Sequence, residues 1–343
     1  FDLTEHNIGP ITAKVIDQVL LDNPNFLKLE LGKNNLADEG VIPIAHLLAN
    51  NKHIIHADLS SNNITDEGVK ILSEALMQNN TLISLSLKSY EGLNRNKVGG
   101  KGCVHLKKLL LKTKTLMYLN MSATQIGLVG LKTLCEGLRS NCSLLHLDIS
   151  NNYLGPNLSK FLSGTLSASC LEELNLANNK LTDVGMANLA PLFGKLNTNS
   201  IRKLNLTNNS ISSAGLAKLF EALYDNKTIQ DLILDHNNFV GSGVFYYLNT
   251  LLLETQSLRV LSFEKCDIEK YIAEEIKAGL TRNATLGHLM LRNNSLYDEG
   301  CEHLCDALHD NTRLKLLDIS DNKLREKSGA AIGNMLKKNR YLE

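Results

Sequence analysis

The stretch LEELNLANNKLTDVG, residues 171–185, decides the fold. Leu171, Leu174, Leu176, Asn179 and Leu181 fall at the phase L-x-x-L-x-L-x-x-N-x-L, and Gly185 comes six residues after the asparagine. Leucines at alternate positions fill one side of a short strand, while Leu189 and Leu192 beyond the glycine recur at helical spacing. Each unit therefore reads as strand, turn, helix, turn. Moved along the chain, the template places its asparagine position at His6, Asn34, Asn62, Asn96, Thr124, Asn152, Asn179, Asn209, Asn237, Cys266, Asn294 and Asn322. Twelve units of about 28 residues fill the sequence, so a single solenoid domain over 1–343 is expected rather than two globular domains.

Stacked strands lie about 4.8 Å apart and stacked helices about 10 Å, so such a stack bends. The expected class is α/β, a horseshoe with a parallel sheet on its concave face and helices on its convex face. The recurring asparagine has a structural use: its amide can satisfy backbone groups of the turn leaving the strand and of the next unit, which Thr124 and Cys266 can do only in part. Asp38 and Asp66, each in an Asp-Glu-Gly run, are expected to cap their helices.

Three departures from the template matter. The spacing from Asn62 to Asn96 is 34, which places an insertion at 88–95 (KSYEGLNR) on one rim, at the carboxyl end of its strand. The sixth unit has Gly155 and Pro156 and no helix-start glycine, which predicts a shorter convex segment. The first unit opens inside a strand, with Phe1 and Leu3 at strand positions, and Leu342 falls 28 residues after Leu314, as if starting a thirteenth. A fragment cut within repeats at both ends is expected.

Lys plus Arg and Asp plus Glu number 36 each, so net charge calls for neither nucleic acid nor an anionic membrane, and no run of 18 apolar residues exists. Aromatics make up 5% with no tryptophan, too few for a base-stacking platform. Of seven cysteines, Cys103, Cys135, Cys301 and Cys305 sit at helix-core positions and read as small buried hydrophobes. Sequons at Asn120 and Asn205 would put glycans on the repeat strands. Together with free thiols they favour a reducing, cytoplasmic location.

Catalytic constellations fail on spacing. His56, His146 and His288 share one strand column but lie in units three, six and eleven. Cys301 and Cys305 face the core at i, i+4, whereas His303 points elsewhere, so no metal site is expected. Neither G-x-x-x-x-G-K-[ST] nor G-x-S-x-G occurs, and Gly99 to Gly102 reads as a helix start. No catalytic residue, cofactor or enzymatic activity is called for.

Units in which L-x-x-L-x-L-x-x-N-x-L is followed by G-x-x-x-L-x-x-x-L resemble the ribonuclease-inhibitor-like class of leucine-rich repeat proteins, over the whole chain. That class includes ribonuclease inhibitor, the sensor ends of NLR immune receptors, Ran GTPase-activating proteins and cytoskeletal scaffolds. The resemblance implies a horseshoe that binds other proteins, with the partner set by surface residues the motif leaves free. Ran GTPase-activating proteins are similar in carrying an arginine in an early insertion and a rim asparagine some repeats later. Here Arg95 lies in the insertion and Asn151 and Asn152 follow two repeats on, though the rest of KSYEGLNR does not match that family's insertion.

The residue between the second and third strand leucines points out of the concave face. That column reads Asp2, Glu30, Asp58, Ser86, Asn120, Asp148, Asn175, Asn205, Ile233, Ser262, Met290 and Asp318, with no basic residue. It suits a protein partner with a basic patch. Ile233 and Met290, with Ser262 between them, outline a small apolar anchor site, and Tyr90 and Arg95 are residue types enriched at interface hot spots. In the Phe245, Tyr246, Tyr247 run, Tyr247 takes the core position and Phe245 and Tyr246 are left for the convex side. The reading is a non-catalytic interaction scaffold that binds through Glu30, Asp58, Tyr90, Arg95, Asn120, Asp148, Asn175, Asn205, Ile233 and Met290. A GTPase-activating protein for a Ran-like GTPase and an inhibitor or sensor-type ligand-binding domain are the alternatives. The repeat specifies no oligomeric state.

Overall fold

The computed structural model describes residues 1–92, 94–194, 198–241 and 243–343. They group into two compact units, Phe1–Leu154 with Phe161–Leu176, and Gly155–Lys160 with Ala177–Glu343. The first holds strands β1 (Lys28–Glu30), β2 (His56–Asp58), β3 (Ser84–Ser86), β4 (Tyr118–Asn120), β5 (His146–Asp148) and β6 (Glu173–Asn175). Its helices are α1 (Pro10–Leu20), α2 (Ala37–Asn50), α3 (Asp66–Leu76), α4 (Gly100–Lys112) and α5 (Gly127–Leu138), and the short α6 (Leu158–Leu166) draws residues from both groups. The second holds β7 (Lys203–Asn205), β8 (Asp231–Ile233), β9 (Val260–Ser262), β10 (His288–Met290) and β11 (Leu316–Asp318). With them go α7 (Thr182–Leu189), α8 (Ser213–Leu223), α9 (Gly243–Glu254), α10 (Lys270–Arg282), α11 (Tyr297–Leu308) and α12 (Glu326–Leu336).

Strand and helix alternate throughout, and within each unit every strand pairs in parallel with its sequence neighbour, the arrangement of a repeat solenoid. Equivalent residues are in register, so Leu85, Leu119, Leu147 and Leu174 stand side by side. All four are buried, as are Leu171, Leu176 and Leu181 of the stretch quoted at the outset. Each buried leucine contributes about 1.5–3 kcal/mol of transfer free energy, so a stack of identical small strands carries a continuous core.

The ladder asparagines are fully buried, and their bonds between repeats run to the preceding unit, not to the next one as the sequence suggested. Asn96 Oδ1 accepts the N–H groups of Asn62 and Ile64, both at 2.9 Å, while its Nδ2 donates to Leu59 O and Leu87 O, also at 2.9 Å. Asn152, Asn237 and Asn294 do the same for Thr124, Asn209 and Cys266. The cause is chain direction: the turn that leaves a strand exposes N–H groups toward the side where the next strand is laid down. The Thr124 hydroxyl donates to Met121 O of its own repeat, and Cys266 Sγ donates weakly to Leu234 O and Glu264 O, the partial service expected of them.

A second ladder runs along the opposite rim, where helix returns to strand. Asn51, Asn79, Asn141, Asn226, Asn283, Asn311 and Asn339 each donate from Nδ2 to a carbonyl of the preceding repeat, at 2.6–2.8 Å. Those carbonyls lie at or beside the ends of the preceding helices, which have no intrahelical donor.

The aspartates correct the sequence reading as well. Asp38 does not cap its own helix; its carboxylate takes the N–H groups of Thr65 (2.8 Å) and Gly68 (3.0 Å), at the start of the next repeat's helix. Asp66 serves Gly99 and Gly102 in the same way, Asp183 serves Ser212 and Gly215, and Asp298 serves Arg325 and Ser328. A carboxylate at a helix N-terminus is favoured by both the open N–H groups and the helix dipole. The motif glycine now has a reason, because a Cβ at Gly68 would lie 2.4 Å from Asp38 Oδ1.

Proline explains the two short helices. Pro156 precedes α6, which has nine residues, as the sequence predicted. Pro191 ends α7 at Leu189, and Leu192 continues in a 3-10 turn over Ala190–Phe193. In the second unit Phe239 and Phe263 take leucine positions, Phe220 takes one held by Ala45, Ser73 and Cys135 in other repeats, and Phe263 meets both other rings edge to face, its centre 4.8 Å from that of Phe239. Phe245 stacks on Phe239 at 6.0 Å and is buried, whereas Tyr247 is only partly covered, the reverse of the expected assignment.

Candidate functional site

Side chains at the first and third residues of each strand stand out of the sheet face, because the middle residue is the one turned into the core. The third-residue column therefore forms a continuous line within each unit. In the first unit it brings together Glu30, Asp58, Ser86, Asn120, Asp148 and Asn175. In the second it brings together Asn205, Ile233, Ser262, Met290 and Asp318.

The column's chemistry is partly set by the turn that follows. Asp58, Asp148 and Asp318 each accept, from Oδ1, the N–H two residues on, at 2.8–2.9 Å, and Asn205 does likewise. Short side chains ending in an oxygen fit this bond, so Asp and Asn recur for a local reason. The negative charge nonetheless stays at the face, where Asp58 and Asp148 remain half-exposed. Glu30 lies 3.2 Å from His56 Nε2, and Glu173 lies 3.2 Å from His146 Nδ1, so two of the three column histidines sit beside carboxylates and on separate strands.

Asn120 departs from the expectation. It is 6% exposed, its Oδ1 accepts from Ser122 N and its Nδ2 donates to the Tyr118 hydroxyl, so little of it is presented to a partner. Ile233, Ser262 and Met290 stand in register, with Ile233 and Met290 half-exposed. Ser262 is buried and donates to Asp235 Oδ1, closing the gap it was expected to leave. Val260 and Leu316, at first-residue positions, extend the apolar face.

The insertion is folded back onto its neighbours. Leu93 lies outside the described residues; around it, Asn94 Nδ2 donates to Asn34 O at 2.8 Å, Asn63 N donates to Asn94 O at 2.9 Å, and Tyr90 N donates to Ser61 Oγ at 2.7 Å. Tyr90 is 38% exposed, with the ammonium groups of Lys88 and Lys33 at 4.3 and 4.7 Å from its ring centre. Lys33 is ion-paired to Glu5, a contact that holds its pKa above the ordinary lysine value. Burial opposes the charge on Lys88, and the Tyr90 hydroxyl and Asp58 carboxylate outweigh it, so its pKa is raised too.

Arg95 points the other way. Its Nη2 donates to Ala123 O at 3.2 Å, and its Nε is buried without a hydrogen bond. Asn151 has a left-handed backbone (φ 59°) and donates to Ser122 Oγ and Ser150 Oγ, while Asn152 is a buried ladder residue. The pair thus has structural work of its own.

Burial pushes the thiols of Cys103 and Cys266 up to about 12 and that of Cys135 to about 11, which keeps them protonated. Cys301 and Cys305 are buried with sulfurs 4.0 Å apart, and among the described residues no three His, Cys, Asp or Glu are placed to hold a metal ion. No helix of the described residues is long and apolar enough to cross a membrane.

A family model described as Leucine Rich repeat matches residues 22–45, 50–73, 167–190 and 198–220. Ribonuclease inhibitor of Sus scrofa is 29% identical over 244 residues, covering 70% of this chain and 53% of that protein. NACHT, LRR and PYD domains-containing protein 4E of Mus musculus is 28% identical over 209 residues, 60% of this chain and 21% of that protein. The chain thus spans about half the length of the first relative and about a fifth of the second. Among solved structures, an internalin from Listeria monocytogenes aligns over 92% of this chain and 74% of its own, at 20% identity and a TM-score of 0.48.

Proposed function

We propose, from the premise that this chain is a leucine-rich repeat protein of the ribonuclease-inhibitor-like class, that it is a non-catalytic recognition scaffold for a protein partner. One observation carries the proposal: the 88–95 insertion is bonded onto Asn34, Ser61 and Asn63 and holds Tyr90 on the rim against Lys88, whose charge the half-exposed Asp58 also supports. An aromatic anchor held before binding loses little rotamer freedom on contact, which is what makes such residues hot spots. The Glu30, Asp58 and Asp148 carboxylates favour a partner with a basic patch there, and the whole of 1–343 acts as one binding domain in a reducing, cytoplasmic setting.

The relatives include proteins named as inhibitors, and an inhibitor or sensor role is compatible with the same surface. A GTPase-activating role asks for an arginine free to reach its partner, whereas Arg95 is tied to Ala123 O. The test is affinity capture from native extract with mass spectrometry, comparing wild type with Tyr90→Ala and Asp58→Lys, followed by calorimetric titration of the captured protein. Binding weakened about tenfold or more in each variant supports the proposal. Unchanged affinity in both removes this surface from consideration, and GTP hydrolysis by a Ran-like GTPase that accelerates with this chain and not with Arg95→Ala would establish the other reading.

A further inference from the structure

Among the described residues, four junctions are closed by an aspartate four residues after the ladder position, with its carboxylate on the next helix: Asp38, Asp66, Asp183 and Asp298. Between α9 and α10 the same position is Gly241, at φ 110°, and the motif glycine that would face it is Ile272. The N-cap of α10, Glu269, makes no side-chain capping bond. A cavity of about 330 Å³ occupies the corner that the missing side chain vacates.

Its floor is apolar, made by the buried Phe239, Phe245 and Ile272. Its walls include Val240 and Tyr271, each 62% exposed. Exposed apolar side chains around a concave apolar floor favour an apolar guest, since the water displaced has few partners there. Three carboxylates stand around the opening, Asp267, Glu269 and Glu275, and among the described residues none of them has an ion-pair partner. Lys270, next in sequence to Glu269, is paired with Glu299 instead. The rim therefore carries uncompensated negative charge over an apolar hollow, and that combination selects its occupant.

We infer that this corner is a docking pocket for a basic linear segment of a protein partner, one large apolar side chain entering the cavity and flanking arginines or lysines meeting Asp267, Glu269 and Glu275. An acidic segment is repelled by the rim, and a polar one leaves the floor unfilled. The pocket shares no residue with the Tyr90 and Asp58 surface, so either can fail without the other.

The test is a fluorescence anisotropy titration of the full chain with a fluorescein-labelled hexapeptide, Arg-Arg-Leu-Phe-Arg-Arg. Two control peptides replace Leu-Phe by Ser-Ser or every Arg by Glu. Saturable binding of the parent peptide is expected, with both controls weaker by about tenfold or more. The paired change Asp267→Lys with Glu275→Lys, and separately Val240→Ser, should weaken the parent peptide to a similar degree. Glu39→Lys with Glu74→Lys, exposed on α2 and α3 and outside both surfaces, should leave it unchanged, while Asp58→Lys with Asp148→Lys reads out any binding of the peptide along the strand column instead. Because the first pair could disturb folding, Asp267→Asn with Glu275→Gln is measured alongside, each variant's thermal midpoint being compared with wild type. The proposal is overturned by a Ser-Ser peptide that binds as tightly as the parent, by rim variants that keep wild-type affinity, by loss confined to the Asp58 and Asp148 variant, or by no binding at all.

Discussion

Asp66 and Gly102 belong to different repeats and define each other's identity: Asp66 Oδ1 accepts the Gly102 N–H at 2.8 Å, and a Cβ on Gly102 would lie 2.7 Å from that oxygen and 2.9 Å from Val98 Cγ1. Alanine ordinarily favours a helix over glycine by about 1 kcal/mol, but here the added methyl displaces the cap. Gly102→Ala is expected to destabilise by about 1–3 kcal/mol and Asp66→Ala by about 1 kcal/mol. The double variant should cost less than the sum, measured by urea unfolding of all three proteins. Additive losses would show that the two residues do not act together.

Asn209→Leu removes an acceptor for the Asn179 and Leu181 N–H groups and a donor to Leu206 O. Leucine is similar in bulk, so the cost is that of leaving buried backbone groups unsatisfied, at least about 1–3 kcal/mol. A urea midpoint equal to wild type would contradict the ladder's role.

The insertion is held by Asn94 through both its side chain and its left-handed backbone, φ 64°. Asn94→Gly keeps the backbone and loses the side-chain bonds, while Asn94→Ala loses both. Amide exchange at Asn63, whose N–H goes to Asn94 O, should quicken in both and more in the alanine variant. Global stability should change little, since the insertion lies outside the core.

The Asp298 carboxyl is held below the usual carboxylate range, first by the Ser328 hydroxyl and then by the Arg325 N–H. A depressed folded pKa means that its stabilisation is present above the unfolded value, about 3.9, and is lost as pH falls through the folded value. The start of α12 should therefore open at acid pH before the core does, with loss of Arg325 and Ser328 exchange protection. Asp298→Asn should flatten that dependence.

Cysteine reactivity divides sharply. Cys142 is exposed and should be labelled by a maleimide in the native protein at about pH 7.5, whereas Cys103, Cys135 and Cys266 should react only in denaturant. Peptide mass spectrometry of protein labelled in each state checks this.

Architecture was legible because packing repeats its letters. The leucine phase and the glycine after it specified strand, helix and order, and the irregular spacing before Asn96 located the insertion. Direction between repeats was not legible, since the asparagine looks the same whichever neighbour it serves. The second ladder was visible in principle, as asparagines recurring 17 residues after the first ladder's positions, at Asn51, Asn79, Asn141, Asn226, Asn283, Asn311 and Asn339. Asparagine is common in turns for local reasons, so its recurrence there does not by itself mark a ladder. The column stands in register within each unit, but Ser86, Asn120 and Ser262 in it are buried, and whether Asn120 stands free depends on Tyr118 beside it, which a column read one residue per repeat does not see. The vacated corner at Gly241 is apparent only once Asp38 and its counterparts are known to cap the following helix.

The one-way amide bonds have a consequence for synthesis. A repeat leaving the ribosome has open N–H groups in its turn until the next asparagine, about 28 residues later, has also emerged to accept them. Folding on the ribosome therefore trails translation by a full repeat, with the newest unit always unsealed. A pause placed one repeat after a weakly sealed unit, such as those headed by Asn96 or Asn237, which Thr124 and Cys266 serve only in part, would give it time to close.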